Sequence, residues 1–200
     1  MLTLFALIIA SLFGLTIGSF LNVVVIRGAR SQSLRGRSQC ESCRRTLSVK
    51  ELIPLFSFLV QKGRCRHCGT ALSWQYPIVE LAAALSYLAL ALFFLPLFSV
   101  HSTLETFLLF AGSLTGNAAI LVILAADFRY QIIPNGSVLI LSLLGLAAVC
   151  VRAQHNGLES FIFDILAAFF IALFFVALWL VSRGRWIGLG DAKLIFSTSL

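Results

Sequence analysis

Five long apolar runs dominate this chain, and they limit what it can fold into. No charged residue occurs from Met1 to Ile26. Further apolar runs cover 78–100, 106–126, 134–151 and 161–181. Each approaches the ~20 residues a helix needs to cross a bilayer, the fourth being the shortest. Hydrocarbon offers the backbone no hydrogen-bond partners, so segments of this kind close their own bonds as helices. Charged residues make up 12% of the chain, where a soluble domain carries about 25%. The expected fold is all-α: a polytopic transmembrane bundle of five spans, with the start of a sixth at Asp191.

The first run is read as a retained span rather than a secretory signal. No Lys or Arg precedes Arg27, whereas a signal peptide places positive charge before its apolar core. Gly14 and Gly18 form a small-xxx-small pair suited to close helix packing.

Charge gives the orientation. Arg27 to Arg66 holds ten of the fifteen Lys and Arg residues, and such loops stay on the cytoplasmic side. The stretch 27–76 is therefore expected inside and the N-terminus outside. Counting spans onward puts the loop around His101 outside, 130–135 inside, the loop around Asn156 outside and 182–190 inside. Of the basic residues, fourteen then fall inside and only Arg152 outside. Topology and anionic lipid account for the net charge of +7, so nucleic acid is not expected as a partner.

The basic loop carries Cys40-Glu41-Ser42-Cys43 and later Cys65-Arg66-His67-Cys68. Two C-x-x-C knuckles can supply four thiolates to one tetrahedral metal. Reduced cytosolic thiols argue against two structural disulfides. Zinc is the expected ion, with four-thiolate iron and a redox dithiol as alternatives. Four protein ligands leave no open position, so the site is read as a staple for a loop too small for its own core. Cys150 lies within a span and is read as packing.

With eight acidic residues in all, each can be weighed. Glu41 and Glu51 are expected to be solvated in the polar loop, and Glu105 and Glu159 lie at outer helix ends. Asp164, one turn into the fifth span, is read as snorkelling or packing. Glu80 opens the second span and is expected to meet the cysteine loop or shape a site. Asp127 closes the third span and Asp191 opens the sixth, both at the inner face. Ionisable groups at such depths are costly unless they serve a cavity, so function is the default reading. Two carboxylates in a low-dielectric site do not both ionise readily; one stays protonated and the other acts as a base. Such a pair can activate water against a peptide carbonyl. The competing reading is that both are helix-end caps. Gly188-Leu189-Gly190-Asp191 adds two glycines beside the second acid, where a backbone could approach. Pro134 is expected at the first position of the fourth helix.

Several motifs occur in an order that resembles bacterial prepilin peptidases, also called type IV prepilin leader peptidases. Their aspartate motifs look like D-x-x-x-x-x-I-P-[DN] and G-x-G-D-x-K-L, read here as Asp127 to Asn135 and Gly188 to Leu194. Also similar are 18–24 near the end of the first span, the two knuckles, Leu52-Ile53-Pro54, Gly63-Arg64-Cys65-Arg66 and Tyr76-Pro77-Ile78-Val79-Glu80. The resemblance implies cleavage of the basic leader of type IV prepilins or pseudopilins at the inner face of the bacterial cytoplasmic membrane. It implies Asp127 and Asp191 as the catalytic pair. Gly188, Gly190, Lys193 and Glu80 are candidate substrate contacts, and Cys40, Cys43, Cys65 and Cys68 the metal ligands. Many members then N-methylate the new terminus from S-adenosylmethionine, and that cofactor is implied by the resemblance alone.

The domain organisation follows: 1–26 a first span, 27–76 the cysteine loop with a possible methyltransferase part, 77–105 a second span with its external loop, and 106–200 a peptidase core. That core ends about nine residues into the sixth span, too few to cross. Two other classes compete: a zinc-stabilised module or methyltransferase lacking proteolysis through truncation, and a transporter. The transporter reading lacks inverted repeats and paired broken helices.

Overall fold

Apolar composition becomes helix along almost the whole chain. The computed structural model describes residues 1–100, 103–186 and 188–199, excluding the side chains of Leu2, Ser99 and Leu189. The centre of the expected outer loop at His101, and Leu200, lie outside the described residues. The helices are α1 (Leu2–Ala29), α2 (Phe56–Val60), α3 (Gln75–Val100), α4 (Leu104–Tyr130), α5 (Asn135–Asn156), α6 (Leu158–Ser182) and α7 (Leu189–Ser199). All except α2 and α7 are long and apolar enough to span a membrane. They extend a few residues beyond the apolar runs, because Arg27, Arg129 and His155 continue the last helical turns of α1, α4 and α5.

The chain divides into two compact units, 1–130 and 131–200. In the first, α1, α3 and α4 pack against one another. Gly14 and Gly18 let α1 approach α3 very closely. A Cβ on Gly18 would lie 2.7 Å from the Glu80 Cα, and one on Gly14 would lie 2.7 Å from the Ala83 carbonyl oxygen. One turn further, the buried Asn22 side chain donates to the Tyr76 carbonyl at 3.2 Å. Leu21, Val25, Val79, Val122, Ala125 and Ala126 form the buried core below. Hydrogen bonds stitch α3 to α4 within the apolar layer: Tyr87 to the Leu114 carbonyl at 3.1 Å, and Asn117 to Ser86 at 2.9 Å. In hydrocarbon each such bond contributes on the order of 0.6–2 kcal/mol. Phe94, Phe98, Phe107 and Phe110 stack where these two helices end.

In the second unit α5, α6 and α7 pack pairwise. Pro134 is the N-cap of α5 rather than its first helical residue. Its backbone is extended, and its carbonyl accepts the Ser137 and Val138 N–H groups at 3.1 and 3.3 Å. Asp164 pairs with Arg152 at 3.2 Å. The acid read as snorkelling thus meets the single basic residue expected on the outer side, and each offsets the other's desolvation.

Candidate functional site

The loop between α1 and α3 is built as two similar knuckles. In the first, the Cys40 N–H donates to the Arg45 carbonyl at 3.0 Å and the Cys40 carbonyl accepts from Arg44 N–H at 3.0 Å. In the second, Cys65 N–H donates to Thr70 at 2.9 Å and the Cys65 carbonyl accepts from Gly69 N–H at 2.9 Å. Isolated antiparallel bridges, Gln39 with Thr46 and Arg64 with Ala71, close each knuckle. The residue after each second cysteine turns through positive φ, 59° at Arg44 and 70° at Gly69. At that position glycine is the unstrained choice and arginine is not.

These turns bring Cys40, Cys43, Cys65 and Cys68 together, with all four sulfurs within 4.8 Å of one another. Tetrahedral zinc with Zn–S near 2.3 Å implies sulfurs about 3.8 Å apart. Cys40 Sγ and Cys68 Sγ are 3.9 Å apart. The donor set can hold a metal ion and fits zinc. Thr70 holds the Cys68 thiol down to about 6, first through its hydroxyl at 3.3 Å and then through its backbone N–H, so the thiolate is available at neutral pH. Cys150 lies elsewhere, on α5. Cys40→Ser is therefore expected to lower the metal content of purified protein substantially, with Cys150→Ser leaving it at the parent level. Elemental analysis of both checks this.

Glu51 and Glu41 are not solvated as their loop composition suggests. Glu51 is buried; it accepts the Ser48 N–H at 2.9 Å and the Ser48 hydroxyl at 2.8 Å, a capping box on the 3-10 turn Val49–Glu51. Those bonds hold its carboxyl below the ordinary glutamate value, with burial opposing them. His67 stands 3.8 Å from the same carboxylate. For Glu41, burial raises the pKa, but the Tyr76 hydroxyl, Arg129 and Arg30 outweigh it and hold the carboxyl below its usual range. For Glu41 the sequence pattern carries no sign of this, because Tyr76 and Arg129 are distant along the chain; for Glu51 the sign is local, the Ser48-x-x-Glu51 capping-box pattern.

Glu80 meets the loop as expected. Its Oε2 accepts the Leu55 N–H at 2.7 Å. Leu55 has φ of 59°, a strained value for leucine, and that bond helps hold it. Arg27 donates to five consecutive carbonyls, from Ser33 to Arg37, at 2.8–3.3 Å. Its planar fork organises the start of the loop. Between loop, α1 and α3 lies a cavity of about 660 Å³ lined in part by Arg30, Glu41, Tyr76, Glu80 and Arg129.

Asp127 sits in the last turn of α4, in the first unit, with its side chain exposed. Among the described residues no hydrogen bond or ion pair engages it. Asp191 sits in the first turn of α7, in the second unit, half-buried, and accepts the Gly188 N–H at 3.0 Å. Asp191 thus caps α7 from inside its first turn, reaching back to the residue before the helix, rather than from the position ahead of it. A Cβ on Gly190 would lie 3.1 Å from Ile133 Cδ1, so the absent side chain makes room for Ile133. Within the second unit Ile133 thus packs directly on Gly190, the residue before Asp191. Lys193 is exposed and lines a cavity of about 430 Å³ with Asn135, Ser142 and Phe196.

Comparison with known proteins gives the family. Residues 12–94 match the bacterial peptidase A24 N-terminal domain, and residues 114–200 match the type IV leader peptidase family. A prepilin leader peptidase/N-methyltransferase of Bacillus subtilis (strain 168) is 34% identical over 184 residues, covering 92% of this chain and 68% of that protein. Proteins of the same name from Dickeya chrysanthemi and Klebsiella pneumoniae are 31% and 30% identical; each match covers 92% of this chain, with 70% and 79% of the respective relative. No solved structure matches. Two matched regions in order, together with relatives aligned over nearly the whole chain, make this protein a member of the type IV leader peptidase family.

Proposed function

We propose that this chain is a membrane aspartic endopeptidase that removes the leader of type IV prepilins or pseudopilins. Asp127 and Asp191 act together on one water molecule. One carboxylate takes a proton as the water oxygen attacks the scissile carbonyl carbon. The other, protonated, delivers its proton to the departing amine as the C–N bond breaks, so no covalent enzyme intermediate forms. The observation that carries the reading is the packing of Ile133 on Gly190, which joins the tail of one aspartate motif to the head of the other. Family membership supports the same chemistry. Gly188, the Gly190 backbone, Lys193 and Glu80 are proposed substrate contacts.

The distribution of Arg and Lys supports an orientation with the N-terminus outside and both aspartates at the cytoplasmic face of a bacterial inner membrane. Zinc is the proposed occupant of the four-cysteine centre, as a structural staple within the 27–76 loop, while 106–200 forms the peptidase core. The relatives' names include N-methyltransferase, which supports methylation of the new terminus as a second activity. S-adenosylmethionine, which would supply the methyl group, is proposed on the family resemblance alone.

Membranes carrying the chain, incubated with a prepilin, test the peptidase reading. Asp127→Ala and Asp191→Ala are each expected to stop leader removal. A single variant cleaving at the parent rate would remove that residue from the mechanism.

A further inference from the structure

The three long helices of the first unit converge on one carboxylate of the cysteine loop. Glu41, the second residue of the first knuckle, accepts the Tyr76 hydroxyl from the start of α3 at 2.8 Å. It pairs with Arg30, just past the end of α1. It also accepts from Arg129, in the last turn of α4, at 3.3 and 3.4 Å. Arg129 donates further to Gln75 at 3.1 Å.

Arg129 is two residues from Asp127. The apolar core that holds α4 runs through Val122, Ala125 and Ala126, where Ala126 is 1% exposed, and beyond them only the partly buried Tyr130 packs against it. Asp127 and Phe128 are both exposed. A helix end with few buried contacts frays, and its opening free energy is small. The Arg129–Glu41 and Arg129–Gln75 bonds are therefore, with the partly buried Tyr130, what ties the turn bearing Asp127 to the rest of the unit. The other end of that tie is backbone fixed between Cys40 and Cys43.

We propose that Glu41 and Arg129 are positioning residues, a latch through which the first cysteine knuckle holds the α4 terminus, and Asp127 on it, in place for catalysis. The inference rests on the reading of Asp127 as a reacting carboxylate. It gives the cysteine loop a role in peptide cleavage beyond stapling itself.

The test uses the full chain in membranes, measuring kcat and KM for leader removal, metal content, and amide exchange across 127–131. Displacement of a catalytic group by about 1 Å can cost 10²-fold in rate. Arg129→Gln and Glu41→Ala are expected to lower kcat by roughly 10- to 100-fold with KM within about twofold, to speed exchange in 127–131, and to retain the metal. Arg129→Lys, which keeps charge and a donor, is expected to recover part of kcat. The proposal is overturned if Arg129→Gln keeps the parent kcat, if its loss is confined to KM, or if exchange in 127–131 is unchanged. Asp127→Asn run beside these separates the two ideas: parent activity in that variant overturns the catalytic reading, whereas an inactive Asp127→Asn with a fully active Arg129→Gln overturns the latch alone.

Discussion

Asp191→Asn is expected to slow leader removal by roughly 10²- to 10⁴-fold while leaving the start of α7 intact. The two roles open to this residue respond differently to that change. As a cap, Asp191 accepts the Gly188 N–H at 3.0 Å, and an asparagine amide oxygen accepts the same bond. As an acid–base group it exchanges protons, which an amide cannot do near neutral pH. Asp191→Ala removes both roles at once, so it stops cleavage and also loosens the helix start, by about 0.5–2 kcal/mol for a lost cap. Measured leader removal and thermal stability for the two variants, side by side, separate the roles. An asparagine variant that cleaves like the parent would leave Asp191 as a cap.

Gly18→Val is expected to produce the largest structural effect of any single change in the first unit. The nearest atoms to a new Cβ are backbone: Glu80 Cα at 2.7 Å and Val79 O at 3.0 Å, with the Ala83 Cβ between them at 2.9 Å. None can move without shifting α3 relative to α1. The shift would also pull Asn22 away from the Tyr76 carbonyl. Overpacking of this kind costs about 1–3 kcal/mol, which lowers the melting temperature by roughly 2–12 °C for a chain of this size. Gly28 is on the same helix with nothing within 4 Å of its Cβ position. Gly28→Ala is expected to be neutral or to stabilise by about 0.5–1 kcal/mol through helix propensity. Thermal melts of solubilised protein check both. Equal melting temperatures for the two variants would mean that the α1–α3 contact is not tight.

Much of this was legible in the residues because it depends on local periodicity and composition. The five spans follow from apolar length, the α1–α3 contact from Gly14 and Gly18, and the four-sulfur cluster from two evenly built knuckles. The contact of Glu80 with the loop was also legible, since a carboxylate opening an apolar helix has few other uses. What escaped depends on partners far apart in sequence. Glu41 looks like a solvated loop acid, yet Arg129 lies 88 residues away and Tyr76 lies 35 away. Glu51 differs: its partner Ser48 is three residues away, and the Ser-x-x-Glu capping-box pattern is a local signal of that bond. Gly190 carried a clear signal of close approach, but the approaching group within its own unit is Ile133 rather than an external backbone. Pro134 fixes the entry to α5 as read, from one position earlier.

The most direct test of the aspartate pair is a double-variant comparison of leader removal under single-turnover conditions: parent, Asp127→Asn, Asp191→Asn and both together. Groups that act as one unit are non-additive, so removing the second costs little once the first is gone. The account predicts that the double variant is no slower, within a few-fold, than the slower single variant. Losses that multiply, giving a double variant slower by the product of the two single effects, would contradict a shared catalytic step.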